Sequence, residues 1–299
     1  MKIIIIDGNH LACRAFFAIK DLKTSTGIST NATYGFINCI RSYARRWENA
    51  LITVAWDGAG KKEAHNLLDE YKADRKPLPN DLYSQFSDIK RILSALSIPQ
   101  FCLDHVEADD IIGTLTLKAR KEGHKVIIVS SDHDFEQLIT KHVQIMVPSL
   151  AAYKEIFKDY SFVDEKYNGL RPKQLIEMMS LAGDGSDNVS GVEGIGSKTA
   201  ISLIKANENL QQILESPGDL KNINKKGEFV DASKKLKQKI SDNIRMIKVF
   251  NKIVKIDCHV PINIKFKKGT VNLEKLKQIF KELEFKRFLK DIGEWQELF

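Results

Sequence analysis

The chain has 299 residues, 43% of them hydrophobic and 28% charged, with a formal net charge of +7. That is the balance of an ordinary soluble protein, large enough for one big domain or two closely joined ones. Its four cysteines, Cys13, Cys39, Cys102 and Cys258, form no CxxC, which argues against a zinc ribbon or a disulfide framework and reads as buried thiols of a reduced compartment.

The chain opens with Met1-Lys2 and an isoleucine run too short for a signal segment or a membrane span, so a cytoplasmic protein with no membrane association is expected. Ile3 to Ile6 is continuously apolar and ends in Asp7-Gly8, the pattern of a buried parallel strand with an acid at its carboxyl end. A helical pattern follows over Asn31 to Trp47. Leu51 to Trp56 repeats the strand and ends in Asp57-Gly58. Gly60 to Pro79 is a basic connection holding Lys61, Lys62, Lys72, Arg75 and Lys76. Within it Lys72 and Arg75 share a helical face, and Tyr71 offers a ring for base stacking. A solvated link of mixed charge is the plainer reading, but the segment directly follows Asp57.

Helical patterns over Tyr83 to Leu96 and Ala108 to Glu122 come next. The second begins with Val106-Glu107-Ala108-Asp109-Asp110, where Glu107 and Asp110 share one face and Asp109 lies on the next. Helix capping alone accounts for acids there. Val126 to Val129 is a third strand, leading through Ser130-Ser131 to Asp132 and Asp134 on either side of His133. Beyond about Pro148 the character changes to helices and glycine-rich turns, with a lysine-dense stretch from Lys221 to Lys239. Strands alternating with helices predict a mostly parallel α/β sheet, followed by a helical C-terminal region packed on it.

Nine carboxylates thus fall at strand ends or turns: Asp7, Asp57, Glu107, Asp109, Asp110, Asp132, Asp134, Asp184 and Asp187. Each alone suits a cap or a turn. Ligand groups in open α/β sheets collect beyond the carboxyl ends of the strands, so the set is expected to converge. So many ionised acids in one pocket require cations. An oxygen-only donor set points to Mg²⁺ or Mn²⁺ and not to zinc. In a basic protein this suggests a phosphodiester substrate.

Gly191-Val192-Glu193-Gly194-Ile195-Gly196-Ser197-Lys198-Thr199 matches neither a P-loop, since Ser197 separates glycine from lysine, nor a dinucleotide fingerprint. It reads as a hairpin between helices, the second opening at Ser197. Gly191, Gly194 and Gly196 would let the backbone approach a phosphate, with Ser197 and Lys198 at an exposed helix start. A plain helix junction is the alternative.

Taken together, Ile6-Asp7-Gly8-Asn9, Arg14 to Ala18, Tyr34-Gly35-Phe36, Tyr71 to Pro79, Val106 to Asp110, Ser131 to Phe135 and Gly183 to Thr199 resemble the 5′-nuclease family. That family includes flap endonucleases, phage 5′-exonucleases and the 5′-nuclease domain of bacterial DNA polymerase I. The resemblance implies an α/β nuclease core over 1–170 with a basic arch at 58–82. It implies a helical DNA-binding region over 171–299, with a helix–hairpin–helix variant at 183–206. It further implies a two-metal phosphodiesterase acting on 5′ flaps and 5′ ends in replication or repair, with ions roughly 4 Å apart. All nine acids match metal positions, and Lys72 and Arg75 match residues that contact the scissile phosphate. Arg14, Tyr71, Gly191, Gly194, Gly196, Ser197 and Lys198 are the expected DNA contacts. Mg²⁺ is the implied ion, with Mn²⁺ as a substitute and K⁺ at the hairpin. The expected partners are branched or 5′-ended DNA and a separate DNA polymerase, for a monomeric nuclease. Two departures are Trp56, where phenylalanine is usual, and Ser190, where proline is common. A metal-dependent ribonuclease and a non-catalytic binder of branched DNA are the alternatives.

Overall fold

The computed structural model describes residues 1–60, 67–68, 70–73, 77–149 and 155–299. Its centre is a six-stranded sheet. Strands β1 (Lys2–Asp7), β2 (Leu51–Ala55), β3 (Gln100–Phe101), β4 (Lys125–Val129), β5 (Val143–Val147) and β6 (Ile156–Lys158) are arranged in the order β3-β2-β1-β4-β5-β6. All neighbours are parallel except β5 and β6. Strand β1 is central, with Asp7 opposite Ala55 on one side and Ile6 opposite Val129 on the other. The chain winds outward from β1 in one direction and then resumes at β4 in the other. The carboxyl edge between β1 and β4 is therefore the switch point, where sheets of this type open a crevice.

The isoleucine run explains the layering. Ile3, Ile4, Ile5 and Ile6 are all fully buried, and alternate residues serve opposite faces. Ile3 and Ile5 join a core with helices α4 (Ala108–Lys121), α5 (Tyr160–Lys166), α6 (Gln174–Ala182), α7 (Ser197–Asn207), α8 (Leu210–Glu215) and α9 (Lys234–Val254). Ile4 and Ile6 face the other core, built with α1 (Gly8–Ala18), α2 (Asn31–Arg46) and α3 (Gln85–Ala95). Each such side chain contributes about 1.5–3 kcal/mol of burial free energy, so the register of β1 is strongly fixed.

Three features go beyond or against expectation. First, the helical region expected over 171–299 is divided between the two faces of the sheet. Residues up to Val254 pack on the first face, but α10 (Leu273–Glu282), α11 (Lys286–Lys290) and α12 (Ile292–Leu298) lie on the second. Leu276, Phe280, Phe288 and Trp295 are buried there beside Phe36 and Ile40. Second, the lysine-dense stretch contains a small antiparallel pair, β7 (Lys221–Ile223) and β8 (Phe229–Asp231), as well as helix. Third, Cys102 is exposed and Cys13 and Cys258 are half-buried, leaving Cys39 as the buried thiol. Among the described residues no helix is long and apolar enough to cross a membrane.

A charged clasp holds the final helices. Arg41 on α2 is almost wholly buried and pairs with Asp291 at 2.6 Å and with Glu294, while its guanidinium lies over the Trp295 ring. Arg45 also binds Glu294, at 2.7 Å through its terminal nitrogen. The Arg45 hydrogen bond, followed by that of Arg41, holds the Glu294 carboxyl down at about 2 against burial. A depressed carboxylate stabilises the fold above its unfolded pKa of 4.5 and loses that contribution as pH falls. Glu294→Gln should therefore cost about 1 kcal/mol at pH 7, discounted for solvent screening. The deficit in melting temperature should shrink as the pH drops below 4.5. A pH-independent deficit would mean that the carboxylate charge is not what holds the helix.

Candidate metal centre

The acids are placed by the carboxyl edge of the sheet and by the helix starts beside it. Asp7 ends β1 and caps α1, one oxygen accepting the His10 N–H at 3.0 Å and the other the Ser130 hydroxyl at 3.1 Å. The start of α1 packs tightly under the second acid. Gly8 leaves room for the Trp56 ring, which a Cβ would meet at 2.5 Å. The bulkier ring at this departure is accommodated by stacking on Phe36 and by its indole N–H donating to Gln100. Asp57 follows β2 and is exposed. Its N–H donates to Asn9 Oδ1 at 3.1 Å, and its own Oδ1 accepts the Ala108 N–H at 2.9 Å, capping α4 from outside. Glu107 therefore sits at the α4 start without spending its carboxylate on the cap.

Asp132 and Asp134 follow β4, with the Asp134 N–H donating to Asp132 Oδ1 at 3.0 Å. Asp184 and Asp187 come from the turn after α6. That turn is closed by paired backbone hydrogen bonds between Asp184 and Val189, at 2.7 and 2.8 Å. Asp184 Oδ1 accepts from the N–H and hydroxyl of Ser186.

These carboxylates form two neighbouring groups. Asp7 is pushed up to about 7, first by burial and then by the charges of Asp57 and Asp132. Asp109 is raised well above the carboxylate range, again chiefly by burial, with Lys72 opposing and Asp7, Asp132 and Glu107 adding. In the second group, one carboxylate oxygen each of Asp134, Asp184 and Asp187 lies within 4.8 Å of the others. Asp134 is pushed up to about 8 by burial and by Asp132 and Asp184. Asp134 Oδ1 and Asp184 Oδ2 are buried and have no hydrogen-bond partner among the described residues. Buried, unsatisfied carboxylate oxygens of this kind are costly, and an oxygen-lined cradle of three acids suits a hard divalent cation.

Two side-chain cations also enter the cluster. Lys72 is buried and its Nζ lies 2.7 Å from Glu107 Oε1 and 3.5 Å from Asp187 Oδ2, bridging the two groups. His133 Nε2 is 3.5 Å from both Asp134 and Asp184. Its pKa is pushed up to about 9, first by the Asp184 hydrogen bond, with the neighbouring acids outweighing burial. Sequence reasoning missed His133, although its place between two acids was the available signal. It also missed His10, whose Nε2 accepts the Ser131 N–H at 3.2 Å and so fixes the loop carrying Asp132.

Several expected residues are placed differently. Tyr71 is 2% exposed, in the core beside α4, and its hydroxyl donates to Glu107 at 3.1 Å. Its ring is thus unavailable for stacking on a base, because apolar burial and the Glu107 bond satisfy both ends of the side chain. Asp110 is buried and one oxygen accepts the Asp257 N–H at 2.8 Å, which ties the chain after α9 to the centre. Arg14 is half-buried on α1, its Nε without a hydrogen-bond partner among the described residues. Arg75 lies outside the described residues, as do Lys61, Lys62 and Lys76.

The glycine segment is a turn ahead of α7. Gly191 has φ +66°, and a Cβ there would meet the Gly183 backbone nitrogen at 2.3 Å. The turn packs on the end of α6 through the Val192 N–H, which donates to Leu181 O at 2.9 Å. Gly194 also has positive φ, and Lys239 reaches across to donate to Glu193 O at 2.5 Å. Gly196 caps α7 without a side-chain bond, and Ser197 and Lys198 are exposed at its start.

A doubly wound sheet bearing this acid cluster at its switch point defines an α/β core suited to holding divalent cations. Residues 2–168 match the 5′-3′ exonuclease N-terminal resolvase-like domain, and residues 170–278 match the 5′-3′ exonuclease C-terminal SAM fold. The chain belongs to the 5′-3′ exonuclease family. It is 34% identical over 298 residues to DNA polymerase I of Caldicellulosiruptor bescii, covering 98% of this chain and 34% of that protein. With DNA polymerase I of Bacillus subtilis the identity is 34% over 296 residues, covering 98% and 32%. The chain therefore spans about a third of the length of these curated relatives. Its fold is that of the bacteriophage T5 flap endonuclease solved as a pseudo-enzyme–product complex with DNA and metal ions. That match has a TM-score of 0.66 at 21% identity, covering 99% of this chain and all of that one.

Neutralising one acid of the second group tests the cradle. Asp134→Asn should leave the metal-free protein as stable or more so, by about 1 kcal/mol, since it relieves repulsion. The rise in melting temperature that Mg²⁺ or Mn²⁺ gives the wild type should be lost. An undiminished ion-induced rise would place the ion elsewhere.

Proposed function

We propose that this chain is a structure-specific 5′-nuclease that hydrolyses DNA phosphodiesters at 5′ flaps and 5′ ends. The observation that carries this reading is the pair of adjoining carboxylate groups, with buried unsatisfied oxygens, bridged by Lys72. Nothing in mere binding of a polyanion favours concentrating negative charge where the phosphate would lie, whereas hydrolysis does. Asp7, Asp57, Glu107, Asp109, Asp110 and Asp132 would hold one divalent ion, and Asp134, Asp184 and Asp187 a second, with Asp132 between them. When bound, such ions supply charge stabilisation to a phosphoryl group and lower the pKa of water.

The chain's own residues do the rest. Asp57 and His10 hold the loops that carry the acids, and the Ser197 end of α7 offers unpaired N–H groups to a duplex phosphate. Those contacts would fix register without reading bases. Lys72 is the closest described side-chain cation to both acid groups and would oppose charge growing on the phosphate. Mg²⁺ is the ion we assign, with Mn²⁺ able to replace it. K⁺ would belong at the Gly191–Gly196 turn, and a DNA polymerase is the enzyme whose products the activity would trim.

The test is cleavage of a 5′-flap duplex labelled at either end, with Mg²⁺ or with EDTA. Metal-dependent cuts near the junction, lost in Asp134→Asn while DNA binding persists, are expected. Lys72→Ala should lower kcat by about 10²-fold or more and change KM far less. Tight flap binding with no cut under Mg²⁺ or Mn²⁺ would leave a DNA-junction binder, and preference for a matched RNA flap would favour a ribonuclease.

A further inference from the structure

The short 3₁₀ turn Asp134–Leu138, which carries an acid of the second group, is gripped from two sides by consecutive polar side chains. Glu136 is fully buried. Its carboxylate accepts from Lys158 at 2.6 Å, from Lys166 at 2.9 Å and from the Tyr167 hydroxyl at 2.7 Å. Lys158 lies on the edge strand β6, Lys166 ends α5 and Tyr167 directly follows it. On the other side Gln137 donates to Val254 O and accepts the Ile256 N–H, both at 3.0 Å, where α9 ends. The Glu136 N–H closes the turn on His133 O at 2.9 Å.

An ionic network is an unusual occupant for this place. Ion pairs held out of water are often no more stabilising than well-packed apolar side chains of the same volume. Burial pushes the Glu136 carboxyl up, yet the Lys158, Tyr167 and Lys166 hydrogen bonds outweigh it and hold the group below its ordinary value. The network therefore carries two cations to one anion. It also lies close to the acids: the Tyr167 hydroxyl is raised first by burial and by Glu136, and then by the charges of Asp134 and Asp184.

What directional bonds supply, and apolar packing does not, is a fixed position. Asp134 is repelled by Asp132, Asp184 and Asp187, so its turn needs an anchor that does not slide. Groups that orient the ligands of an ion typically change its affinity by about tenfold or more when removed. We propose that Glu136, held by Lys158, Lys166 and Tyr167, is a positioning residue for the divalent ion of the second acid group. It fixes the Asp134 turn at the separation from Asp184 and Asp187 that the ion requires. This rests on the two-ion nuclease reading above.

The test replaces the whole network by apolar groups in the full chain: Glu136→Leu, Lys158→Met, Lys166→Met and Tyr167→Phe together. The metal-free melting temperature should not fall. Mn²⁺ binding to metal-free protein is then measured by electron paramagnetic resonance, alone and with Asp134→Asn. The Kd of the ion that Asp134→Asn abolishes should rise about tenfold, and the other ion's Kd should not change. The replacement removes one net positive charge, which by itself would tighten cation binding, so a weakening reports position and not charge. If the fourfold variant does not fold, the charge-neutral pair Glu136→Leu and Lys158→Met carries the same expectation. In cleavage, the half-saturating Mg²⁺ concentration should rise about tenfold, with kcat at saturating Mg²⁺ and KM for DNA unchanged. Wild-type Mn²⁺ affinity in the folded variant would overturn the proposal. Equal weakening of both ions would do so too, since that is general loosening of the fold. Wild type that binds Mn²⁺ but cuts no DNA would defeat the nuclease reading, while the positioning role is still judged by Kd. Wild type with no Asp134-dependent Mn²⁺ would overturn both.

Discussion

Mutual repulsion among carboxylates held out of water is the constraint that the rest of this structure answers. Asp7 and Asp134 are pushed to about 7 and 8, and Asp109 too is raised well above the carboxylate range, with burial the largest cause in each case. The fold offsets this in ways visible without any bound ion. Asp7 and Asp57 each accept an N–H at the start of a helix, where the backbone dipole favours negative charge. Lys72 bridges Glu107 and Asp187, and the His133 ring lies between Asp134 and Asp184. Even so, among the described residues one oxygen each of Asp134 and Asp184 remains without a hydrogen bond. An arrangement that leaves buried acid oxygens unsatisfied after recruiting two side-chain cations is organised around further positive charge.

The same constraint explains why the centre draws on distant parts of the chain. The turn carrying Asp184 and Asp187 is tied to the segment before the second acid helix: Lys72 N–H donates to Asp187 O at 3.1 Å and Asn188 donates to Glu70 O at 2.9 Å. Asp110 binds the backbone just after α9. Each cross-link holds an acid at a fixed distance from its neighbours against a force that would spread them. The metal centre and the second region are thus mechanically one unit, and the glycine turn, through Lys239 on α9, is attached to it.

Much of this was legible in the chain because period and punctuation are local. Ile3 to Ile6, Leu51 to Trp56 and Val126 to Val129, each closed by an acid or an acid-bearing turn, mark three parallel strands and hence a shared carboxyl edge. What was not legible depends on partners remote in sequence. Tyr71 looks like an exposed ring in a basic stretch, and only the Glu107 carboxylate and the α4 face draw it inward. The crossing of α10 to α12 to the opposite side of the sheet is set by the Arg41 clasp and by the aromatic cluster of Phe280, Phe288 and Trp295, which periodicity alone cannot orient. His133 was overlooked because a histidine in an acidic turn carries no pattern until Asp184, fifty-one positions later, is brought within 3.5 Å.

In the proposed nuclease Lys72 would serve both the resting centre and its substrate. Its backbone has φ +54°, an uncommon state for a residue with a Cβ, and is held there by the Asp187 carbonyl. The strain is confined to the main chain; the side chain reaches Glu107 through four rotatable bonds. Before ions arrive, its ammonium lowers the cost of keeping Glu107, Asp109 and Asp187 together. Were divalent ions held by those acids, as proposed above, the same ammonium would have weaker partners in the cluster and could face a phosphate at its edge. A rigid guanidinium locked in a bidentate pair would resist that exchange. A compact charge on a flexible stem, anchored by a fixed backbone, meets both requirements, which is a physical reason for lysine at this position.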